Sequence, residues 1–358
     1  LSRKESVDAL RKKIDQVDQK IVGLLSRRAS LARTIGRAKN LNHEEIYVPG
    51  REKQVLERVA GLNRGPISKE ALQAIYREIL SASRSVESSL TIVYLGPEAT
   101  FTQMAAQERF GSSAKYVPAA TIGDVFQEVS QRRADYGVVP IENSTEGIVA
   151  DTLDRLVESE PTICAEVSLS IHLSLLSGTG KREEIRCIVS HPQALAQCRR
   201  WLARQLPGLE TREVGSTAQA AKMAAQDSTL AAIASDLAKT LYGLKEVAGR
   251  IEDQAHNRTR FLVIGRRPAK PSGDDKTSVV FSVKDEVGIL HRMLQPFARH
   301  KINLTKIESR PLKDKPWEYL FYLDFGGHVE EPKVRKVIQM LEKNCTFMKI
   351  LGSYPRGL

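Results

Sequence analysis

A long heptad repeat near the N-terminus limits the folds open to this 358-residue chain. Val7, Leu10, Ile14, Val17, Ile21, Leu24, Arg28, Leu31, Ile35 and Ala38 occupy successive a and d positions. That pattern predicts one amphipathic helix over about 6–39 with a seam meant for burial. At 1.5 Å per residue the helix would be roughly 50 Å long, more than a small domain can cover with its own chain. One seam position is a guanidinium, Arg28, a group almost never buried without a partner. Arg28 and Lys39 are three turns apart, about 20° off one line and roughly 16 Å along the axis. Their long side chains can therefore converge on a small anion. Arg11 lies about 25 Å from Arg28 and is rotated by about 100°. It reaches such a ligand only from an antiparallel second copy of the helix. The competing explanation pairs Arg28 with an internal acid such as Glu52 or Glu87.

The rest of residues 1–90 also reads as helix. A second helix starts near Pro49, suited to a first turn, and carries Val55, Leu56, Val59 and Leu62 before NRGP (63–66) stops it. A third starts after Ser68, a good N-cap, with Leu72, Ile75, Ile79 and Leu80 on one face. Residues 1–90 hold 18 Lys and Arg against 11 Asp and Glu, so most of the net charge of +11 sits here. Such a balance suits nucleic acid, an anionic membrane, small anionic substrates or merely a solvated surface. No zinc-finger spacing, RNP motif or basic tail favours nucleic acid. No apolar run approaches the ~20 residues of a membrane span, and LSRKESVDALRKK lacks the apolar core of a signal peptide. A cytoplasmic location is expected. Cys164, Cys187, Cys198 and Cys345 show neither CxxC nor a Cys/His ligand pattern, so no metal and no disulfide framework is expected.

From Thr91 the hydrophobic period changes. Short apolar strands (TIVYLG, KYVP, YGVVPIE) alternate with helices at 101–110, 121–133 and 149–158. After an extended stretch over 162–176 the alternation resumes with IRCIVS, TREVG and LAAIAS and helices at 192–205, 217–226 and 236–243. EVAGRIED and TRFLVIG follow. This predicts parallel sheets in two lobes with a cleft between them. RRPAKPSGDDK (266–276) reads as a linker. Beyond it, TSVVFSV, a helix at 287–299, INLTKIESRP, EYLFYLDFG, a helix at 331–343 and FMKILGSY give a β-α-β-β-α-β order.

Residues 1–90 resemble the helical class of chorismate mutase. The matching residues are Arg11 in ALRKKID, Arg28 in SRR, Lys39 in GRAK, Arg51 and Glu52 in GREKQVLE, and Ser83 and Glu87 in SASRSVE. The resemblance implies an intertwined dimer that converts chorismate to prephenate. In it Arg28 and the partner chain's copy of Arg11 hold the carboxylates. Lys39 and residue 87 donate to the ether oxygen, Glu52 meets the hydroxyl, and Arg51 and Ser83 line the pocket. The rearrangement is unimolecular, so fixing the reactive conformer and stabilising the charge on the ether oxygen suffices. Two positions depart from the family: Glu87 stands where glutamine is common, and Val48 where an acid is common.

The middle segment places Ser, Thr, Asn and Gln at strand-to-helix junctions, where unpaired N–H groups bind carboxylates. Taken singly, each is ordinary: STAQAA is an N-cap before a small-residue helix, and His191-Pro192 opens a helix. Together, GPEATF, PIENS, SHPQALAQC, STAQAA, AAIAS and NRTRF resemble prephenate dehydratase in order and spacing over about 91–265. The family fold resembles the two-lobed, periplasmic-binding-protein-like small-molecule binders. The implied reaction expels carboxylate and hydroxide from prephenate and leaves phenylpyruvate. Thr259 delivers or relays the proton, and Arg260 and Phe261 complete the pocket. A threonine hydroxyl is a poor acid, so a polarising neighbour is required. Thr100, Phe101, Glu142, Asn143, Ser144, Ser190, His191, Gln193, Ser216 and Thr217 are the remaining candidates. Ala99 stands where glycine is usual, which is tolerable if its backbone angles are ordinary.

VKDEVGILHRML (283–294) and KIESRPLK (306–313) are similar to the ferredoxin-like ACT regulatory domain. The implied ligand is L-phenylalanine, held between paired domains by Gly288, Leu290, Glu308, Ser309, Arg310 and Pro311. A purely structural dimerisation module is the alternative. The whole chain thus resembles the bifunctional chorismate mutase/prephenate dehydratases. Three domains are expected: an all-α mutase over 1–90, a two-lobed α/β dehydratase over 91–268 and an α+β ACT domain over 277–358. The enzyme would need no cofactor, and would form a dimer or tetramer and be feedback-inhibited by phenylalanine. A ligand-sensing regulator and a solute-binding transport protein are the competing classes; the first would need a DNA-binding helix-turn-helix, the second an export signal.

Overall fold

The computed structural model describes residues 6–41, 45–254, 256–311 and 319–357. Residues 1–5 of the N-terminal motif, Leu312 and Lys313 of KIESRPLK, and Glu318 lie outside the described residues. The chain divides into two compact units. One comprises residues 1–48, 54–90 and 110–115, and the other the remainder.

The first unit is helical. The heptad run forms α1 (Val7–Leu41), followed by α2 (Pro49–Leu62), whose residues 49–53 count with the other unit, and α3 (Lys69–Glu87). Pro49 occupies the first turn of α2, and Ser68 Oγ accepts from Ala71 N to cap α3. Val55, Leu56, Val59 and Leu80 form a small core with Leu72 and Tyr76. The Arg84 guanidinium lies over the rings of Tyr47 and Phe110, a desolvated cation–π arrangement. The predicted seam is not buried within the chain. Val7, Leu10, Ile14, Val17, Ile21, Leu24, Leu31 and Ile35 are all exposed, Leu24 by 66%. α1 instead packs on α3 through Ala32 and Gly36, one stripe over. A Cβ on Gly36 would sit 2.9 Å from Glu87 Cβ, so the small residue sets how closely the two helices meet.

The second unit holds two lobes and a C-terminal domain. The first lobe contains β1 (Thr91–Leu95), α4 (Phe101–Phe110), β2 (Lys115–Ala119), α5 (Ile122–Ser130), β3 (Tyr136–Asn143), β4 (Gly147–Ile148), α6 (Ala150–Glu158) and β5 (Thr162–Ser170). The chain then builds the second lobe. It comprises β6 (Ser174–Ser177), β7 (Cys187–Ser190), α7 (Pro192–Gln197), α8 (Arg199–Gln205), β8 (Glu210–Glu213), α9 (Thr217–Gln226), β9 (Leu230–Ala234), α10 (Asp236–Tyr242) and β10 (Lys245–Ala248). It returns by β11 (Arg258–Gly265). The first sheet has the order β2-β1-β3-β11-β5, with β4 on β3, and the second β10-β6-β9-β7-β8.

The sheets are mixed, where the alternation predicted parallel ones. β1 and β3 run parallel, as do β7 with β8 and β9. β11 is antiparallel to both β3 and β5. The reason is topological: β5 leaves the first lobe and β11 comes back beside it. One predicted helix, 192–205, is two. It breaks at Cys198, and the carboxylate of Asp253 accepts from Arg200 N (2.8 Å) and Trp201 N (2.9 Å), capping the second piece from a distant loop.

The C-terminal domain follows the predicted β-α-β-β-α-β order: β12 (Asp275–Ser282), α11 (Ile289–Arg299), β13 (Leu304–Pro311), β14 (Tyr319–Gly326), α12 (Pro332–Glu342) and β15 (Phe347–Pro355). The antiparallel sheet has the order β13-β14-β12-β15. Its helices cover one face over Val279, Phe281, Phe297, Phe325, Val337 and Leu341. Its other face meets the first lobe. The Lys349 ammonium reaches the carbonyls of Leu156, Val157 and Ser159 at the end of α6, a favourable place for a cation. Burial holds its pKa below the usual lysine range. Among the described residues, no helix is long and apolar enough to cross a membrane.

Candidate active sites

In the helical unit, two facing stripes carry the polar groups. Arg28 and Lys39 lie on α1, Ser83 and Glu87 on α3. Arg28 donates to Ser83 Oγ and, at 3.4 Å, to the carbonyl of Ile79. Lys39 Nζ donates to the Ile46 carbonyl at 3.0 Å and stands 3.8 Å from Glu87 Oε2. Two cations, a hydroxyl and a carboxyl thus share one helix–helix face. Arg11 does not join them in the same chain. It lies nearly five turns from Arg28, its side chain 73% exposed and paired with Asp8. Arg51 and Glu52 occupy the first turn of α2, exposed and half-buried respectively. Val48 is the residue before α2 and supplies no side-chain cap.

In the second unit, a cavity of about 360 Å³ opens between the lobes. Thr259 and Asn143 face it from paired strands, β11 and β3. Asn143 Nδ2 donates to Thr259 Oγ1 at 2.7 Å and to Asn257 Oδ1 at 3.0 Å. Asn143 Oδ1 accepts from the Thr145 amide and hydroxyl and the Glu146 amide, which fixes the orientation of its amide. The ring closes through Gln197, whose Oε1 accepts from Asn257 and whose Nε2 donates to Thr145. With its oxygen occupied by an amide donor, the Thr259 hydroxyl is left to donate. Asn143 is thus the side chain that hydrogen-bonds the Thr259 hydroxyl.

Three helix starts point at this cavity. Thr100 and Phe101 open α4, His191 and Gln193 open α7, and Ser216 and Thr217 open α9. Ser216 Oγ accepts from Gln219 N. His191 Nδ1 accepts from Gln193 N at 3.3 Å, which leaves the Nε2 edge for a ligand. Orphan N–H groups and the positive ends of helices suit carboxylates. Phe261, Ile171 and Leu173 supply an apolar wall.

Four expected residues are placed elsewhere. Ser190 is fully buried and bonds the Ile233 carbonyl. Ser144 ties β3 to β11 through Arg258 N and the His256 carbonyl. Glu142 and Arg260 point to the opposite face of the sheet, because alternate strand residues face opposite ways. Arg260 is not a pocket residue. Its Nε donates to Glu166 (2.8 Å), one terminal nitrogen contacts Asp324 (2.7 Å) and the other donates to Tyr354 (3.0 Å). Burial works against the Arg260 charge, but Tyr354, Asp324 and Glu166 outweigh it, and its pKa is raised. Burial likewise opposes the Glu166 carboxylate, yet Arg260 and Lys276 hold its pKa below the usual range. Gln197, Glu146 and Thr102, absent from the sequence expectations, line the cavity; Gln197 was legible as part of SHPQALAQC. Ala99 has φ +66° and is fully buried, so the ordinary backbone expected of it is not what the fold imposes.

On the C-terminal domain, Gly288 (φ +76°) opens α11, a conformation that suits glycine. Leu290 follows it, half-buried. On β13, Ser309 and Pro311 are exposed while Glu308 and Arg310 turn inward. Arg310 bonds Asp154 (2.6 Å) and the Ala150 carbonyl (2.7 Å) of α6, not an open ligand site.

A helical unit with a cationic stripe, a two-lobed cleft lined by helix starts and a β-α-β-β-α-β domain define a multidomain enzyme of small anionic substrates. Residues 10–88 match the family Chorismate mutase type II, 92–269 match Prephenate dehydratase and 277–342 match the ACT domain. The bifunctional chorismate mutase/prephenate dehydratase of Aquifex aeolicus is 48% identical, over 99% of each chain. Its counterpart in Pseudomonas aeruginosa is 43% identical over the full length of both. The crystal structure of prephenate dehydratase from Arthrobacter aurescens, in complex with L-Phe, superposes with a TM-score of 0.70 at 33% identity. It covers 75% of this chain and 90% of its own. The chain belongs to the bifunctional chorismate mutase/prephenate dehydratase family and carries both activities.

Proposed function

We propose that the chain converts chorismate to phenylpyruvate in two steps at separate sites and that L-phenylalanine, bound by the C-terminal domain, inhibits the second. The observation that carries the dehydratase assignment is the Asn143–Thr259 hydrogen bond inside the cleft. Prephenate enters with its carboxylates toward the starts of α4, α7 and α9. The Thr259 hydroxyl relays a solvent proton to the departing hydroxyl, which leaves as water, while the ring carboxylate leaves as CO2 and its bonding electrons form the new ring double bond. Water and phenylpyruvate result. Phe261 and the apolar wall hold the ring in a site that the two lobes, as in periplasmic-binding-protein-like folds, close over it.

At the mutase site, Arg28 holds a substrate carboxylate, and Lys39 and Glu87 donate to the ether oxygen. Arg51, Glu52 and Ser83 complete the pocket. A second chain supplies Arg11 and covers the exposed seam of α1; burying an exposed leucine is worth about 1.5–3 kcal/mol. The homologue's L-Phe complex and the ACT match support phenylalanine as the effector, with Gly288, Leu290, Glu308, Ser309 and Pro311 as the candidate contacts.

The test is a time course with chorismate alone, repeated with prephenate and with added L-phenylalanine. Phenylpyruvate forms without any added factor, and L-phenylalanine slows its formation from prephenate. Thr259→Ala lowers dehydratase kcat by about 10²–10⁴-fold, the usual worth of a positioned proton donor, while prephenate still accumulates from chorismate. Equal loss of both activities would overturn the two-site assignment.

A further inference from the structure

The strand pair that carries Thr259 has a second face. Residue by residue, Thr259 opposes Asn143 and Arg260 opposes Glu142. The first pair faces the cleft. The second faces the C-terminal sheet, and every strand of that sheet contributes a group to it. β12 supplies Lys276 to Glu166 (2.8 Å), β13 supplies Lys306 to Glu142 (2.7 Å), and β14 supplies Asp324 to Arg260 (2.7 Å). From β15, Tyr354 accepts from Arg260 and meets Ser278 Oγ at 2.8 Å. Arg260 Nη1 stands 3.9 Å from Glu142. Three cations (Arg260, Lys276, Lys306) thus match three anions (Glu142, Glu166, Asp324); Asp324 is buried, the others are half-buried, and Glu142 is the most exposed of the six.

Buried ion pairs contribute little net stability, because desolvation offsets the attraction. What they do is fix position, since moving one partner leaves a desolvated charge unpaired. Here the positions fixed are those of residues 142 and 260, one peptide from the two ends of the Asn143–Thr259 bond. Lys306 in turn lies two residues before Glu308 on β13, the strand that bears the candidate effector contacts.

We propose that Glu142 and Arg260 are positioning residues through which the C-terminal sheet sets the Asn143–Thr259 pair, with Lys306 as the link from the effector strand. A shift of β13 that draws Lys306 from Glu142 frees that carboxylate and re-aims Asn143 away from Thr259. This rests on the assignment of Thr259 to dehydration and of L-phenylalanine to the C-terminal domain.

Lys306→Met in the full-length chain tests it, with Lys349→Met as control, since Lys349 joins the same two domains at α6 without touching β3 or β11. Dehydratase kcat and KM are measured without and with saturating L-phenylalanine, and its binding is measured directly by calorimetry. Lys306→Met still binds L-phenylalanine, but the fold-inhibition at saturation drops at least tenfold, within the usual range of allosteric coupling. Lys306→Arg restores it, and Lys349→Met keeps the wild-type ratio. Undiminished inhibition in Lys306→Met, or the same loss in both variants, overturns the inference while leaving the functional assignment intact. If Lys306→Met proves unstable, Glu142→Gln gives the second arm: it removes the same ion pair from the other side, and undiminished inhibition in it overturns the inference. A wild-type protein that turns over prephenate but ignores L-phenylalanine overturns the regulatory assignment and this inference together.

Discussion

The two catalytic regions differ in what one chain completes. In the cleft, Asn143, Asn257, Gln197 and Thr145 close a hydrogen-bonded ring within a single polypeptide, and Asn143 of that ring holds Thr259. On the helical unit, Arg28 and Lys39 meet α3, while Arg11 and the apolar a/d residues of α1 face outward. A sheet buries its site between its own layers, because strands far apart in sequence lie side by side. A single long helix has no such means, and the apolar seam of α1 stays exposed. The contrast teaches that one chain can close a polar site in a sheet with its own strands yet leave the apolar face of a long helix uncovered.

The largest effect that can break this comparison is complementation. Arg11→Ala and Arg28→Ala each remove a charge-assisted carboxylate contact, and each is expected to lower mutase kcat/KM by at least about tenfold. If Arg11 serves the partner's site, mixing the two variants after subunit exchange rebuilds one intact site per heterodimer. Mutase activity then recovers to about a quarter of wild type, since half the dimers are mixed and each mixed dimer has one good site. Dehydratase activity stays at wild-type level throughout. No recovery on mixing would place Arg11 outside the mutase site, or at a site within its own chain.

A smaller effect separates the two sites by pH. Glu87 Oε2 stands 3.8 Å from Lys39 Nζ, and only a protonated carboxyl can donate to an ether oxygen. Mutase kcat should therefore fall by up to about tenfold per pH unit once pH exceeds the pKa of Glu87 in the substrate complex. Glu87→Gln donates at every pH and should flatten that limb. The dehydratase profile of the same variant should not move. An unchanged mutase profile in Glu87→Gln would remove Glu87 from the donor role.

The difference between the regions also explains what was legible in the sequence. The heptads placed α1 almost to the residue, and Ser68 and Pro49 marked the two helices after it, because periodicity and caps are local. Strand and helix order in the second unit was equally readable. The direction of β11 was not, since a return strand looks like any other apolar run. Nor was the break at Cys198, which depends on Asp253, more than fifty residues later. At the site, NRTRF and PIENS named the right strands but not the right faces. Applying the two-residue alternation to both motifs divides Thr259 and Asn143 from Arg260 and Glu142, and that signal was available. That Arg260 would be saturated by Glu166, Asp324 and Tyr354 was not, because all three partners come from distant strands.

The smallest expected effect concerns Ala99, between β1 and α4. Its φ of +66° is one that a non-glycine residue adopts at a cost of about 1–2 kcal/mol. The surroundings enforce it: the Ala99 amide donates to Gln103 Oε1 at 2.6 Å, and its carbonyl accepts from Ser235 Oγ at 3.2 Å. The methyl is fully buried in the core of the second lobe beside Val189, Ala218 and Ala221, which returns about 0.8 kcal/mol. Ala99→Gly relieves the backbone but loses the methyl and frees the unfolded chain, so its stability stays within about 1 kcal/mol of wild type. Ala99→Val meets both a left-handed φ and a full core, and should lose at least about 2 kcal/mol. Denaturant midpoints of the two variants decide the matter. A neutral valine would mean that the turn relaxes, and that the cleft, like the helical unit, is less closed by its own chain than its hydrogen-bonded ring implies.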